Sequence, residues 1–190
     1  VRITGHHYHY LNFSKLRGAT KERPQKHLMP PRFIDMDYDW YHALDRAILE
    51  GKGLGTLKRR QGGVSYKVAD VARYDLEFIP ASITVITSGQ ESFSKNTMKF
   101  VVDGLDQSAG TPFYKNRDPK EADFMRAAFE ETLENGQKRM TGYFSELHRR
   151  TASSPQALVG LSPSKVIFEE WGKFKGVTDV FWYIKAAMEA

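Results

Sequence analysis

Two acids in succession, Glu169 and Glu170, close the apolar run Val166, Ile167, Phe168. A buried strand ending in carboxylates can offer one to a divalent cation and the other to a water molecule, which is the division of labour that phosphoanhydride hydrolysis requires. Earlier in the chain, LKRRQGGVSYK (Leu57 to Lys67) places two glycines and a serine where an amphipathic pattern begins. Backbone N–H groups turned inward by Gly62 and Gly63, followed by a helix N-terminus, would cradle phosphate, and the Ser65 hydroxyl stands where Mg²⁺ would be ligated. A Walker A loop has lysine immediately before that hydroxyl residue, and here the position is Val64. A triphosphate carries about four negative charges, more than backbone dipoles alone would hold, so a flanking cation is required: Lys58, Arg59, Arg60 or Lys67. Taken singly, each motif has a plainer reading, the loop as a surface turn and the acids as a strand end. Their pairing lifts both above chance.

Positioning such groups needs strands that end at one edge and helices that start there. The spacing predicts a helix from Asp37 through Tyr41, Leu44 and Ile48, ended by GKGLG, and then a short strand over Leu54 to Leu57 that leads into the glycine loop. Val68, Val71, Ala72, Leu76 and Ile79 mark a helix from about Ser65, stopped by Pro80. SITVITS reads as a buried strand. Phe93, Phe100, Val101 and Leu105 mark the next helix, and Met125, Ala128, Phe129 and Thr132 a third. QKRMTGYFSEL and SKVIF are strands, and Val177, Val180, Phe181 and Ile184 a last helix. Strands alternating with helices predict an α/β sandwich with a mainly parallel sheet. Residues 1–36 form a polar, basic lead-in whose ordered part, ITGHHYHYLNF, alternates like a strand, and residues 37–190 form the main domain.

The chain has 190 residues, 41% hydrophobic and 27% charged, with no cysteine and a net charge of +5. That composition fits one soluble domain in a reducing setting and excludes disulfide frameworks and thiolate metal sites. No apolar run is long enough for a membrane span. The charge permits a polyanionic partner. His6, His7 and His9 lack a further ligand at metal spacing and are expected on the wet face of their strand. Asp35, Asp37 and Asp39 are expected to cap a helix and interact with its dipole. The chain starts at Val1 and stops at Ala190 within a helical pattern, so a piece of a longer protein is expected.

From HYHYLNF and PRFIDMDYDWY, through KRRQGGVSYK, to PQALVGLSPSKVIFEEWGKFKG, the sequence resembles the N-terminal ATPase half of the large terminase subunit of tailed phages. The final block is the most specific, with a G-L-x-P-x loop before the acid-tipped strand and an aromatic G-[KR]-F turn after it. The resemblance implies a three-layer, RecA-like P-loop NTPase fold of the ASCE type, here an incomplete domain, that hydrolyses ATP with Mg²⁺. Lys58 would replace the missing lysine, and Arg60, followed by Gln61, matches a catalytic arginine near the start of the loop. ATP would lie on Lys58, Arg60, Gln61, Gly62, Gly63, Val64, Ser65 and Tyr66, with adenine near Phe33. Ser65 and Glu169 would hold the metal, and Glu170 would activate water. Val64 in place of lysine and Glu169 in place of aspartate are departures from the family pattern. Implied partners are double-stranded DNA, a portal protein, a small terminase subunit and further copies in a pentameric ring, in the host cytoplasm with no membrane. The family's coupling motif and nuclease domain do not fit after Glu170, so no DNA cleavage is expected.

Two other functions remain compatible with the residues: a helicase-like P-loop ATPase, and a nucleic-acid-binding or scaffold module without catalysis. All ATPase readings share one geometric requirement. The Leu54 to Leu57 strand and the Val166 to Phe168 strand should lie together at the sheet centre, with Ser65 and Glu169 within about 10 Å, because both must reach one metal shell.

Overall fold

A computed structural model describes residues 2–18, 24–58, 62–112, 114–151, 160–173 and 176–189. Its elements run α1 (Gly5–Phe13), β1 (Leu16–Gly18), β2 (His27–Met29), α2 (Asp35–Leu49), α3 (Val64–Phe78), β3 (Ile83–Ser88), α4 (Glu91–Gln107), β4 (Phe124–Thr132), β5 (Lys138–Thr151), β6 (Lys165–Glu169), a 3₁₀ turn (Trp171–Lys173) and α5 (Val177–Glu189). The main sheet has the order β4-β5-β3-β6, with β3 parallel to both β5 and β6 and β4 antiparallel to β5. β1 and β2 form a separate antiparallel ribbon.

Strand periodicity sorts the core into layers. Successive residues of β3 face opposite sides. Ile86 packs with Ala69, Ala72 and Leu76 of α3 and Met98, Val101 and Leu105 of α4, whereas Val85 packs with Val180 and Ile184 of α5. Helices therefore cover both faces of the sheet, as the α/β sandwich reading requires. On the far side of α3, a third cluster of Tyr10, Tyr41 and Val71 seats α1 and α2.

Three expected elements are corrected. ITGHHYHYLNF is a helix, not a strand: the Thr4 side chain accepts a hydrogen bond from the His7 N–H, and burial of His7 and Tyr10 at i and i+3, with His9, fastens α1 to α2 and α3. His7 and His9 are consequently buried rather than on a wet face. Phe124–Thr132 is a strand, not a helix. A bulge between Arg126 and Ala128 puts Ala127 and Ala128 both inside, which breaks the two-residue alternation and imitates helical spacing. Finally, Leu54 to Leu57 forms no strand. Residues 51–58 are all exposed, Leu57 completely, and among the described residues β6 pairs with β3 alone. The Trp40 indole N–H donates to Thr56 Oγ1 at 3.0 Å, tying this segment to α2 rather than to the sheet. β3 is the strand that lies beside Val166 to Phe168.

Candidate functional site

The parallel register of β3 and β6 brings Ser88 beside Glu169, so both strands finish at one edge. Two pins fix how β6 meets its neighbours. Ser164 at its start exchanges hydrogen bonds with Ile83, the Ser164 N–H donating to the Ile83 carbonyl at 2.9 Å. The Lys165 ammonium reaches across to Asp75 of α3 at 2.8 Å. Since Asp75 also accepts from Thr84 Oγ1 of β3 at 3.0 Å, this one carboxylate joins α3, β3 and β6. Burial opposes its charge, but His6 and Lys165 outweigh that and hold its pKa below the usual carboxylate value.

At that edge α3 begins. Gly63 caps it with φ of 70°, a left-handed conformation that glycine adopts without strain, and this cap has no side chain to accept from the first N–H groups of the helix. The cap and the neighbouring Gly62 are where an anion would meet those N–H groups. Ser65, one residue into the helix, lines a cleft of about 400 Å³ together with Phe93, Asn96, Thr97 and Phe100 of α4, Glu169 at the end of β6 and Glu170 just after it. Tyr66 stacks on Phe100 of the cleft wall with ring centroids 4.1 Å apart.

The two acids differ in environment. Glu169 is buried, and Thr97 Oγ1 donates to its Oε1 at 2.9 Å. Burial raises its pKa above the usual carboxylate value, against the stabilising hydrogen bonds of Thr97 and Ser65 and the charge of Lys58, while the neighbouring Glu170 adds to the rise. Ser65 and Glu169 line the same cleft, as one shared metal shell would require. Glu170 is half-buried, with a positive φ of 52° that turns it out of the strand. Lys58 faces both groups: its Nζ is 3.4 Å from Ser65 Oγ and 3.7 Å from Glu170 Oε1. Lys173 lies 3.9 Å from Glu170 and also covers the Phe93 ring.

Mg²⁺ is a hard cation that prefers oxygen donors and keeps several waters, taking one or two carboxylates plus substrate phosphates. Glu169, Ser65 and Thr97 supply oxygens of that kind, and among the described residues no group of three His, Cys, Asp or Glu forms a cage for a metal held by protein alone. The donor set fits Mg²⁺ shared with a phosphate ligand.

Other candidates fall elsewhere. Lys67 is buried in an ion pair with Asp37, with the Trp40 ring 5.7 Å from its Nζ, so it points into the core and is not a cleft residue. Asp37 is thus more than a helix-terminal acid; it neutralises a buried lysine. Phe33 is exposed, stacks on His7 at 5.3 Å and is not a cleft residue. Val64 is the first residue of α3. Arg59, Arg60 and Gln61 lie outside the described residues, as do residues 155–159, 174 and 175 of the most specific block. Asn96 and Thr97 were not singled out in the sequence. Their signal was present: Phe93, Asn96, Thr97 and Phe100 fall at i, i+3, i+4 and i+7, one helix face with a polar middle.

The architecture is a terminase ATPase-like fold, a mixed α/β arrangement with a parallel-dominated sheet. Among solved structures the chain is similar to the ATPase domain of the Thermus phage P74-26 large terminase, with 18% identity, a TM-score of 0.57 and coverage of 68% of this chain and 52% of that chain. An arginine-to-alanine mutant of the same domain matches with 17% identity, a TM-score of 0.56 and the same coverage. The chain thus spans about half the length of these structures, and at such identities the likeness shows the fold alone. No protein-family model and no curated protein sequence matches it.

Proposed function

We propose that this chain is an ATPase domain of the large-terminase type, hydrolysing ATP to drive double-stranded DNA into a procapsid. One observation carries the reading: a glycine-capped helix start, an ammonium and two carboxylates of unlike environment converge on one cleft although they come from opposite ends of the sequence. The hydrolytic unit is residues 37–190, and residues 1–36 are a lead-in docked through α1.

In this reading the N-terminus of α3 and the glycines receive the phosphates, and Lys58 supplies the cation that Val64 cannot. Arg60 and Gln61 belong to the same loop, with Arg60 opposing charge on the transferring phosphoryl. Ser65 and Glu169 hold Mg²⁺, whose bound charge would neutralise phosphate oxygens. Thr97 fixes the Glu169 carboxylate through Oε1. Glu170, turned outward with the Lys58 ammonium 3.7 Å away, accepts a proton from the attacking water. Tyr66 packs beside the loop, and adenine contacts from Phe33 would require a ligand path from the cleft to the His7 stack. Portal protein, small terminase subunit and neighbouring copies in a pentameric ring complete the motor in the host cytoplasm.

The test is Glu170→Gln. It should keep Mg–ATP affinity within a few-fold and lower hydrolysis at least about a hundredfold, because a general base is lost and little ground-state binding with it. ATP turnover by the full-length parent with procapsid and DNA is the measurement. Wild-type turnover in the variant would make the acid pair a strand terminus and move the scaffold reading ahead.

A further inference from the structure

The excess positive charge of this protein resides in one segment. Between Ser14 and Ile34 there are six lysines and arginines against one acid, Glu22; the rest of the chain holds 22 of each sign. The net charge of +5 is therefore the charge of this segment, and the remaining residues are neutral overall. A segment with that bias would ordinarily be read as a solvated loop. The structure distinguishes it further.

Outside the segment, every described lysine and arginine except Arg2, Arg46 and Arg150 has a carboxylate within 4 Å or an aromatic ring beneath it. Inside it, Lys15, Arg17, Lys26 and Arg32 are all exposed and have no acidic partner among the described residues. They are carried by ordered backbone. β1 and β2 pair in register, Arg17 directly opposite Leu28 with both exposed, and Lys15 and Lys26 flank the two strands. The ribbon is anchored at its base, where buried Ser14 donates to Asp70 of α3. Cations left unneutralised on a fixed two-stranded ribbon form an electrostatic footprint for a polyanion.

We propose that the β1–β2 ribbon is a docking surface for the phosphate backbone of double-stranded DNA, with Lys15, Arg17, Lys26 and Arg32 as the phosphate contacts. This deepens the proposed function by locating its DNA contact, and it rests on that reading only for the identity of the polymer. Such contacts position a duplex without reading its sequence. Arg17 can take a phosphate in bidentate fashion, and the exposed Leu28 opposite it is apolar, so among the described residues no acid pairs with the guanidinium.

The experiment measures binding of a fluorescent mixed-sequence duplex between 50 and 200 mM salt, without nucleotide, so that it is independent of the ATP cleft. Each phosphate contact contributes about 0.9 to the slope of log affinity against log salt. Neutralising Lys15, Arg17, Lys26 and Arg32 together to glutamine should lower the slope by two or more and weaken binding at least about tenfold at 100 mM salt. The control neutralises Lys95, Lys99, Lys138 and Arg139, four exposed bases already paired with acids. It should shift the slope by less than one, with circular dichroism confirming the fold of both variants. A smaller drop in the ribbon variant, an equal drop in the control, or no duplex binding by the wild type overturns the proposal; the last result would hand the ribbon to an acidic protein partner. If the wild type binds Mg–ATP and the ribbon variant binds DNA normally, the surface is wrong and the ATPase reading stands. If the wild type binds DNA through the ribbon but binds no Mg–ATP, the reverse holds.

Discussion

The two ends of α3 handle charge in opposite ways. Over its inner turns, Lys67, Asp70, Arg73, Asp75 and Glu77 are all buried, and each meets a partner. Arg73 lies 3.1 Å from Asp70 and 3.4 Å from Glu77, His9 bridges the same two acids at 3.0 and 3.2 Å, and Ser108 donates to Glu77 at 3.0 Å. Even the facing helix accommodates this network: a Cβ on Gly104 of α4 would stand 2.6 Å from Arg73 Nη1, so only glycine lets the guanidinium pass. At the N-terminal end the helix cap is a glycine without a side-chain acceptor, Lys58 is half-exposed, and Glu169 holds a raised pKa. Charge neutralised by the protein itself is structure. Charge with spare capacity, facing a cleft, is available to a ligand.

The sharpest way to break this comparison is to exchange the fates of two lysines. Lys67→Ala leaves Asp37 buried and uncompensated, which should destabilise the protein by about 3–5 kcal/mol. For a chain of this size that is a fall in melting temperature on the order of 10 °C, read by calorimetry. If stability is unchanged while nucleotide affinity collapses, Lys67 belongs to the site and the division fails. Lys58→Ala should do the opposite, weakening Mg–ATP binding roughly tenfold by titration calorimetry, a loss of about 1.4 kcal/mol, with little change in melting temperature. Equal affinity losses in the two variants would remove Lys58 as the surrogate cation.

Thr97→Val sharpens the cleft side. Removing the donor to Glu169 takes away a hydrogen bond to its charged form and should raise its pKa further. Cation binding requires the carboxylate, so affinity for Mg–ATP weakens as pH falls through the raised Glu169 value, and in the variant that weakening should begin at higher pH. Thr97→Ser should restore the wild-type profile. A profile unmoved by Thr97→Val would mean that the hydroxyl only fills space.

The smallest effect belongs to His9, on the structural side. Burial disfavours its charge, but the hydrogen bonds it donates to Asp70 and Glu77 outweigh that and raise its pKa above the usual 6.5. A raised folded pKa contributes stability that is complete below the unfolded value and is lost as pH rises through the folded one. Denaturant titrations should therefore show stability falling as pH rises above about 6.5, and His9→Gln should flatten that limb. A wild-type curve that is flat in this range would show that His9 is neutral in the fold.

By itself the sequence determined the elements with clean periodicity, the acid-tipped strand among them. Val71, Ala72 and Leu76 at helical spacing, the compact ITVITS run and the apolar residues before Glu169 are local signals, and their elements form where the pattern places them. The glycine loop likewise precedes a helix starting at Val64, because Gly63 and the following residues encode that start locally. Tertiary structure decided the rest. It turned HYHYLNF into a helix by burying His7 and Tyr10 against α2 and α3, and it made Phe124–Thr132 a strand through a bulge that no spacing rule reveals. A strand exists only if another strand accepts its hydrogen bonds, so Leu54 to Leu57, with suitable residues but no paired neighbour among the described residues, stays irregular and exposed. The contacts of Lys58 with Ser65 and Glu170, and of Thr97 with Glu169, span up to more than a hundred residues of sequence, and only the shared edge of β3 and β6 brings these groups within a few ångströms. Lys58 and Lys67 flank the same loop in sequence; that one faces a cleft and the other a buried aspartate was set by which side of α3 the core occupies.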